Sequence, residues 1–327
     1  MNTVLVTGAT GFLGRQLALR LALDGHRVHI LYRSEAKLKG LEHENIHPFG
    51  GNLGDSDSIV RAMEGCNQVY HVAAFALPWA KNSQLFYDEN VGGTEHVLLA
   101  AKKLGVEKLV FTSSAGVLGP SSGEPKTEET IFKGRHFTHY DRSKAMAEEK
   151  VIEYANAGRS AVIVNPTRIY GPGYIGKSNA VTMMIVRYLQ GKWRYIPGDG
   201  SSIGNFVFVE DVVDCHLLAM EKGRSGERYL AGSENLSFSE FFSRLAMVSG
   251  KEYRLFRIPV RLMTLAAAGM LVTARITGRT PPIVPDFVRR YNHDWLTSSN
   301  KAISELGYSP ISIEEGLART IKWFENT

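Results

Sequence analysis

Apolar runs and helical periodicity alternate along the first half of the chain. Short aliphatic and β-branched runs at Val4–Thr7, Val28–Tyr32, Val69–Ala73, Leu109–Thr112 and Ala161–Asn165 read as strands. They are almost continuously apolar, as expected of strands covered on both faces. Between them, Phe12–Asp24, Ser56–Glu64, Tyr87–Lys103 and Arg142–Ala157 carry apolar positions at helical spacing. Strands that alternate with helices predict an α/β fold, a Rossmann-type doubly wound parallel sheet. Beyond about residue 166 the pattern loosens, punctuated by Gly171-Pro172-Gly173, Gly198-Asp199-Gly200 and Pro281-Pro282. Phe206–Val209, Asp211–Met220 and Arg228–Ala231 then read as a return to the sheet. The expected division is a main sheet domain over 1–165, rejoined by 206–231. Segments 166–205 and 232–327 would form a smaller, interleaved C-terminal substrate-binding region.

Composition narrows the class only a little. Of 327 residues, 44% are hydrophobic and 22% charged, which excludes a disordered or collagen-like chain. The two cysteines, Cys66 and Cys215, form no CxxC or Cys/His cluster, so no metal site is expected and a reducing compartment is. The chain runs directly into its first strand without the pattern of a secretory leader, which points to a cytoplasmic location.

The net charge of +5 is unevenly spread. Residues 251–290 hold eight Lys/Arg against two acids, an excess of six. Within them, Leu262–Ala274 is an uncharged stretch that would span only about 20 Å as a helix, short of the roughly 30 Å of a bilayer core. Three readings of 261–275 stay open: plain core, a substrate lid, or a helix lying on a membrane surface. Nucleic-acid binding is not expected, because the basic residues alternate with aliphatic rather than stacking aromatic side chains.

The first strand ends in Thr7-Gly8-Ala9-Thr10-Gly11-Phe12-Leu13-Gly14 and a helix follows at once. Glycines at 8, 11 and 14 allow a tight turn that brings backbone N–H groups and a helix N-terminus to a pyrophosphate. An acid at the end of the second strand would bind a ribose 2′-hydroxyl and signal NAD(H). Here Tyr32 is followed by Arg33, and an arginine binds a 2′-phosphate bidentately, so NADP(H) is the preferred cofactor, with NAD(H) the alternative.

Tyr140-Asp141-Arg142-Ser143-Lys144 opens a helix and puts Tyr140 and Lys144 on one face, one turn apart. A phenol with a pKa near 10 is a weak acid-base group at neutral pH unless a nearby cation stabilises its phenolate. Upstream, Phe111-Thr112-Ser113-Ser114-Ala115 ends a strand where open α/β sheets bind ligands.

Taken together, these residues resemble the extended short-chain dehydrogenase/reductase family, also described as the NAD-dependent epimerase/dehydratase superfamily. The resemblance covers essentially the whole chain. The matching pieces are TGATGFLG (7–14), GNLGD (51–55), HVAA (71–74), ENVGGT (89–94), VFTSSAG (110–116), YDRSK (140–144), NPTRIYGPG (165–173) and FVFVEDV (206–212). The resemblance implies Tyr140 as general acid/base and Lys144 as the group that lowers its pKa and holds the nicotinamide ribose. It further implies that Ser114 orients the substrate oxygen, with Ser113 a second candidate. Asn52 and Leu53 would contact adenine, Ala73 the adenosine side and Pro166 the nicotinamide end. Asn90 matches a cofactor-side position that is either binding or structural.

Epimerases and dehydratases of the family usually carry an Arg-Asp pair in the stretch that here reads Gly198-Asp199-Gly200-Ser201-Ser202-Ile203-Gly204-Asn205. Gly204 and Asn205 replace that pair, which removes an anchor for a nucleotide diphosphate. The remaining features look like the 3β-hydroxysteroid dehydrogenase and dihydroflavonol 4-reductase branch. The expected activity is therefore NADP(H)-dependent reduction of a ketone, or oxidation of the alcohol, on a hydrophobic small molecule such as a sterol, flavonoid-like or long-chain keto compound. The alternatives are a nucleotide-sugar epimerase with tightly held NAD and a non-catalytic NADP(H) sensor. Relatives of this kind pair the helices at 87–103 and 140–157 across a two-fold axis, so the resemblance implies a homodimer.

Overall fold

A computed structural model describes residues 1–176 and 179–326. Its main sheet takes β1 (Thr3–Thr7), β2 (Arg27–Tyr32), β3 (Ile46–Gly50), β4 (Gln68–His71), β5 (Lys108–Thr112) and β6 (Ala161–Pro166). Three further strands, β7 (Arg168–Tyr170), β8 (Tyr195–Pro197) and β9 (Ile203–Phe208), lie outside it, and β10 (Arg228–Ala231) returns to its edge. The order is β10-β6-β5-β4-β1-β2-β3, and every pair is parallel. The order reverses between β1 and β4, which opens a crevice beyond the strands' C-terminal ends.

Helices cover both faces. On one side lie α1 (Phe12–Leu23) and, later in the chain, a helix over Val209–Lys222; on the other lie α2 (Ser56–Met63), the helix pair over 84–104 and a long helix from His139 to Asn156. Side-chain alternation along the strands explains the two cores. Val4 and Val6 pack with Leu17 and Leu21 of α1, whereas Leu5 packs with Ile59 and Val97. The 84–104 segment is not one regular helix. It begins as α3 (Gln84–Tyr87), loosens through a π-turn over Asp88–Gly92 and resumes as α4 (Gly93–Leu104). The helix α5 (His139–Asn156) starts at Thr138, whose hydroxyl accepts the Asp141 N–H.

The strand expected to re-enter the main sheet at 206–209 does not. As β9 it pairs with β7 and with β11 (Glu234–Ser237) in a separate three-stranded sheet; only β10 completes the large one. Helices α6 (Ala180–Leu189), α7 (Val209–Lys222), α8 (Phe238–Ser249), α9 (Val260–Thr277), α10 (Pro285–Arg289) and α11 (Ile313–Glu325) complete the chain, with β12 (Phe256–Ile258) pairing with β8. An aromatic core of Tyr170, Tyr188, Phe206, Phe208, Phe241 and Phe242 fills the small sheet's helical face.

The plain-core reading of 261–275 is incorrect. The helix α9 buries only Ala267 and Ala274, while Leu262, Leu265, Val272 and Ile276 stand exposed. At 18 residues it is also longer than its uncharged stretch, with a mean hydropathy of 1.3. That length and composition suffice for a membrane span, although Arg261 and Arg275 lie within it.

Candidate active site

A cavity of about 790 Å³ fills the crevice beyond β1, β4, β5 and β6. Its two ends have different chemistry. One is built by the glycine loop, Arg33 and Asn52; the other by Met184, Trp193, Phe238, Phe287 and Tyr291. Ser113, Ser114, Tyr140 and Pro166 line the stretch between.

The glycines at the first end are required sterically. Gly8 has φ +77°, and a Cβ there would sit 2.6 Å from the Ala73 nitrogen. A Cβ on Gly14 would run into the Gly8 carbonyl, so no larger residue lets α1 pack this close to β1. Gly11 caps α1 without a side-chain hydrogen bond, which leaves the first helical N–H groups open to the cavity. A cradle of this shape with an uncapped helix N-terminus fits a dinucleotide pyrophosphate. Phe12 and Leu13 line the same wall, as do Asn52, Leu53 and Ala73. Arg33 stands at the mouth, its side chain 64% exposed and its Nη1 3.7 Å from Glu89 Oε2. Glu89 is a residue the sequence reading overlooked; it projects from the π-turn into the end where Arg33 and Lys37 face the cavity.

Directed hydrogen bonds fix the floor beneath the loop. The Ala73 N–H donates to Thr7 Oγ1 (3.2 Å), and Thr7 Oγ1 lies 2.7 Å from His71 Nδ1. His71 Nε2 lies 3.0 Å from Thr94 Oγ1, whose proton goes to the Asn90 carbonyl. Because each hydroxyl has one proton, this chain assigns the His71 proton to Nε2. Burial, with a smaller contribution from Lys144, pulls the His71 pKa down to about 3, so the ring is neutral. The Asn90 side chain binds Phe75 N–H and C=O and donates to Ser143 Oγ (2.9 Å), bracing the β4 loop against α5.

Tyr140, Lys144 and Glu148 follow one another up a face of α5. Lys144 is buried, with its ammonium 3.9 Å from the centre of the Phe111 ring. Burial pulls its pKa down to about 7 against the opposing charge of Glu148. That carboxylate is itself tied to Arg228 (3.0 Å) and Asn165 Nδ2 (2.6 Å). The Tyr140 phenol stands one turn before Lys144 on the same helix, in a buried setting. Burial and the neighbouring Asp141 push it up, and the Arg290 guanidinium partly offsets them. Ser114 Oγ accepts the Gly116 N–H (3.1 Å), which leaves its own proton free to donate. Ser113 Oγ is buried and, among the described residues, without a hydrogen-bond partner.

Two arginines that the sequence reading did not single out converge from far along the chain. Arg290, just after α10, pairs with the buried Asp141 at 2.8 Å and stacks on Trp295 at 3.9 Å. Arg168, at the start of β7, lies over Phe206 (5.6 Å) and Phe238 (5.1 Å). Its guanidinium occupies the space beside Gly204, where an added Cβ would sit 2.6 Å from Arg168 Cζ. The stretch itself carries no arginine, as the sequence shows, yet a guanidinium stands beside it. The charge missing from β9 is supplied by β7, its parallel neighbour.

Fold and site define a dinucleotide-binding enzyme with a cavity that joins a cofactor cradle to a cluster of hydroxyl side chains. The pattern of the NAD dependent epimerase/dehydratase family matches residues 4–232, and the chain belongs to that family. It is an NAD(P)-dependent oxidoreductase of the extended short-chain dehydrogenase/reductase type. Among curated proteins it is 33% identical over 326 residues to sterol demethylase protein B of Methylococcus capsulatus, covering 98% of each chain. It is 32% identical over 328 residues to a putative dihydroflavonol 4-reductase of Synechocystis sp., covering 98% of this chain and 94% of that protein. Among solved structures, gox2253 superposes with a TM-score of 0.83 at 31% identity, covering 100% of this chain and 98% of that one.

Proposed function

We propose that the enzyme uses NADP(H) to interconvert a ketone and a secondary alcohol on a bulky hydrophobic molecule. The observation that carries this reading is the single cavity, which runs from the glycine cradle past Ser114 and Tyr140 to a wall of Met184, Trp193, Phe238 and Phe287. The names of the two curated relatives, a dihydroflavonol reductase and a sterol demethylase component, both point to ring compounds bearing oxygen.

The bound nicotinamide would supply or accept the hydride. Gly8, Gly11, Gly14, Phe12 and Leu13 would hold the pyrophosphate, Asn52, Leu53 and Ala73 the adenosine, and Pro166 and Lys144 the nicotinamide end. Arg33, with Lys37 beside it, favours a 2′-phosphate; Glu89 opposes one. Ser114 donates its free proton to the substrate oxygen. Tyr140, whose phenol burial keeps protonated, gives that oxygen a proton as charge develops on it. Lys144, poised near neutrality, restores favourable charge beside the phenol as it loses that proton.

The apolar, arginine-flanked helix α9 supports peripheral attachment to an anionic lipid surface, where a hydrophobic substrate would be found. A homodimer would pair α4 and α5, on which Leu99 and Met146 stand exposed.

The reading is tested by titrating the protein with NADPH and with NADH beside an Arg33→Ala variant. The expected result is NADPH bound about tenfold or more tightly, with the preference lost in the variant. Equal affinities in the parent protein would remove the NADP(H) reading.

A further inference from the structure

Arg168 is anomalous among the charged residues of the cavity. Among the described residues no ion pair or hydrogen bond engages its guanidinium, which lies over the faces of Phe206 and Phe238 and beside Gly204. Asp141, a carboxylate that lines the same cavity, is engaged by Arg290 and by the Thr138 hydroxyl. Arg290 adds a like charge to the same region. A cation against an apolar wall without a counter-ion is costly unless something brings one. Burial, partly opposed by Tyr291 and reinforced by Arg290, pulls the guanidinium down to about 10, so it stays charged at neutral pH.

We infer that the substrate of this site carries an oxyanion group, the carboxylate of an otherwise apolar acid, and that Arg168 is its anchor and the specificity determinant for that charge. The inference rests on the proposed reading of the cavity and names the class of molecule it takes. A planar guanidinium whose donors are unengaged among the described residues matches a carboxylate in bidentate geometry. A nucleoside diphosphate offers the same oxyanion chemistry, but the surroundings favour the acid. Around Arg168 stand Phe206, Phe238 and Tyr291, with Trp193 and Met184 further along the wall, and the second arginine is already neutralised. Gly204 is the structural condition for the arrangement, because any side chain there would displace the guanidinium.

The test measures, by calorimetry on the full chain, the binding of decanoate, of uncharged decanol and of UDP. It uses the parent protein, Arg168→Gln and Arg168→Lys, with an NADPH titration of each. Decanoate is expected to bind the parent about tenfold or more tightly than decanol. Arg168→Gln should erase that preference, Arg168→Lys should keep part of it, and NADPH affinity should be unchanged in both. Equal binding of decanoate and decanol by the parent, or no binding of decanoate, would overturn the inference. So would a preference that survives Arg168→Gln. UDP binding that depends on Arg168, without a decanoate preference, would also overturn it and assign the anchor to a nucleotide. Failure of the cofactor reading would appear separately, as failure of the parent to bind NADPH.

Discussion

At the scale of single residues, the site separates proton-holding from positioning. Tyr140 is the one group of the cavity centre whose burial keeps an acidic proton in place, while Ser114 has its lone pair engaged by Gly116 N–H and its own proton free. Tyr140→Phe removes that proton and little else. Turnover of a ketone substrate should fall by about two to four orders of magnitude, with NADPH affinity unchanged, as steady-state rates and a fluorescence titration would read. A variant that keeps its rate would move the acid role off Tyr140. The glycine cradle and the Tyr140–Lys144 pair were legible in the sequence because their geometry is local. A tight turn and one helical turn are set by spacing alone. Arg168 and Arg290 were not, although Arg168 lies within a quoted motif. What makes each of them informative is a neighbour distant in sequence: Gly204 for the one, Asp141 for the other.

At the scale of elements, the main sheet followed from its pattern because long apolar strands covered on both faces leave a continuous signature. The strand β3 escaped notice because it is an edge strand containing Pro48, which is tolerated where a neighbour is present on one side only. The small sheet escaped because β7 and β11 have three and four residues. The π-turn in the 84–104 segment leaves no periodic trace, yet it sets the Asn90 side chain against the β4 loop and α5. The helix α9 is the element whose role the sequence left most open. Its outward apolar face, with Leu265 72% and Ile276 81% exposed, should bind vesicles containing an anionic lipid and release them as salt is raised. A Leu265→Asp/Ile276→Asp variant should lose that binding in a co-sedimentation assay while it still binds NADPH. Equal sedimentation of parent and variant would exclude α9 as the contact.

At the scale of the molecule, an ion pair fastens the C-terminal segment to α5. Arg290 follows α10, which packs against α9 and contributes Phe287 to the cavity, and it meets Asp141 next to Tyr140. The Asp141 side chain is 2% exposed and that of Arg290 18%, so removing one partner strands a charge in a nearly dry site. Arg290→Gln should cost about 3 kcal/mol in urea unfolding, and Arg290→Gln combined with Asp141→Asn should recover a substantial part of it. Strict additivity of the two changes would show that the pair does not couple these regions.

The exclusion between residue 204 and the Arg168 guanidinium also constrains how such a pocket can change. A side chain added at 204 collides with the arginine, while loss of the arginine leaves the wall without charge. No single substitution transfers the positive charge from β7 to β9. The arginine of β7 and a side chain on β9 thus compete for one space, so that a larger residue at 204 re-aims the guanidinium along the cavity wall instead of adding to it.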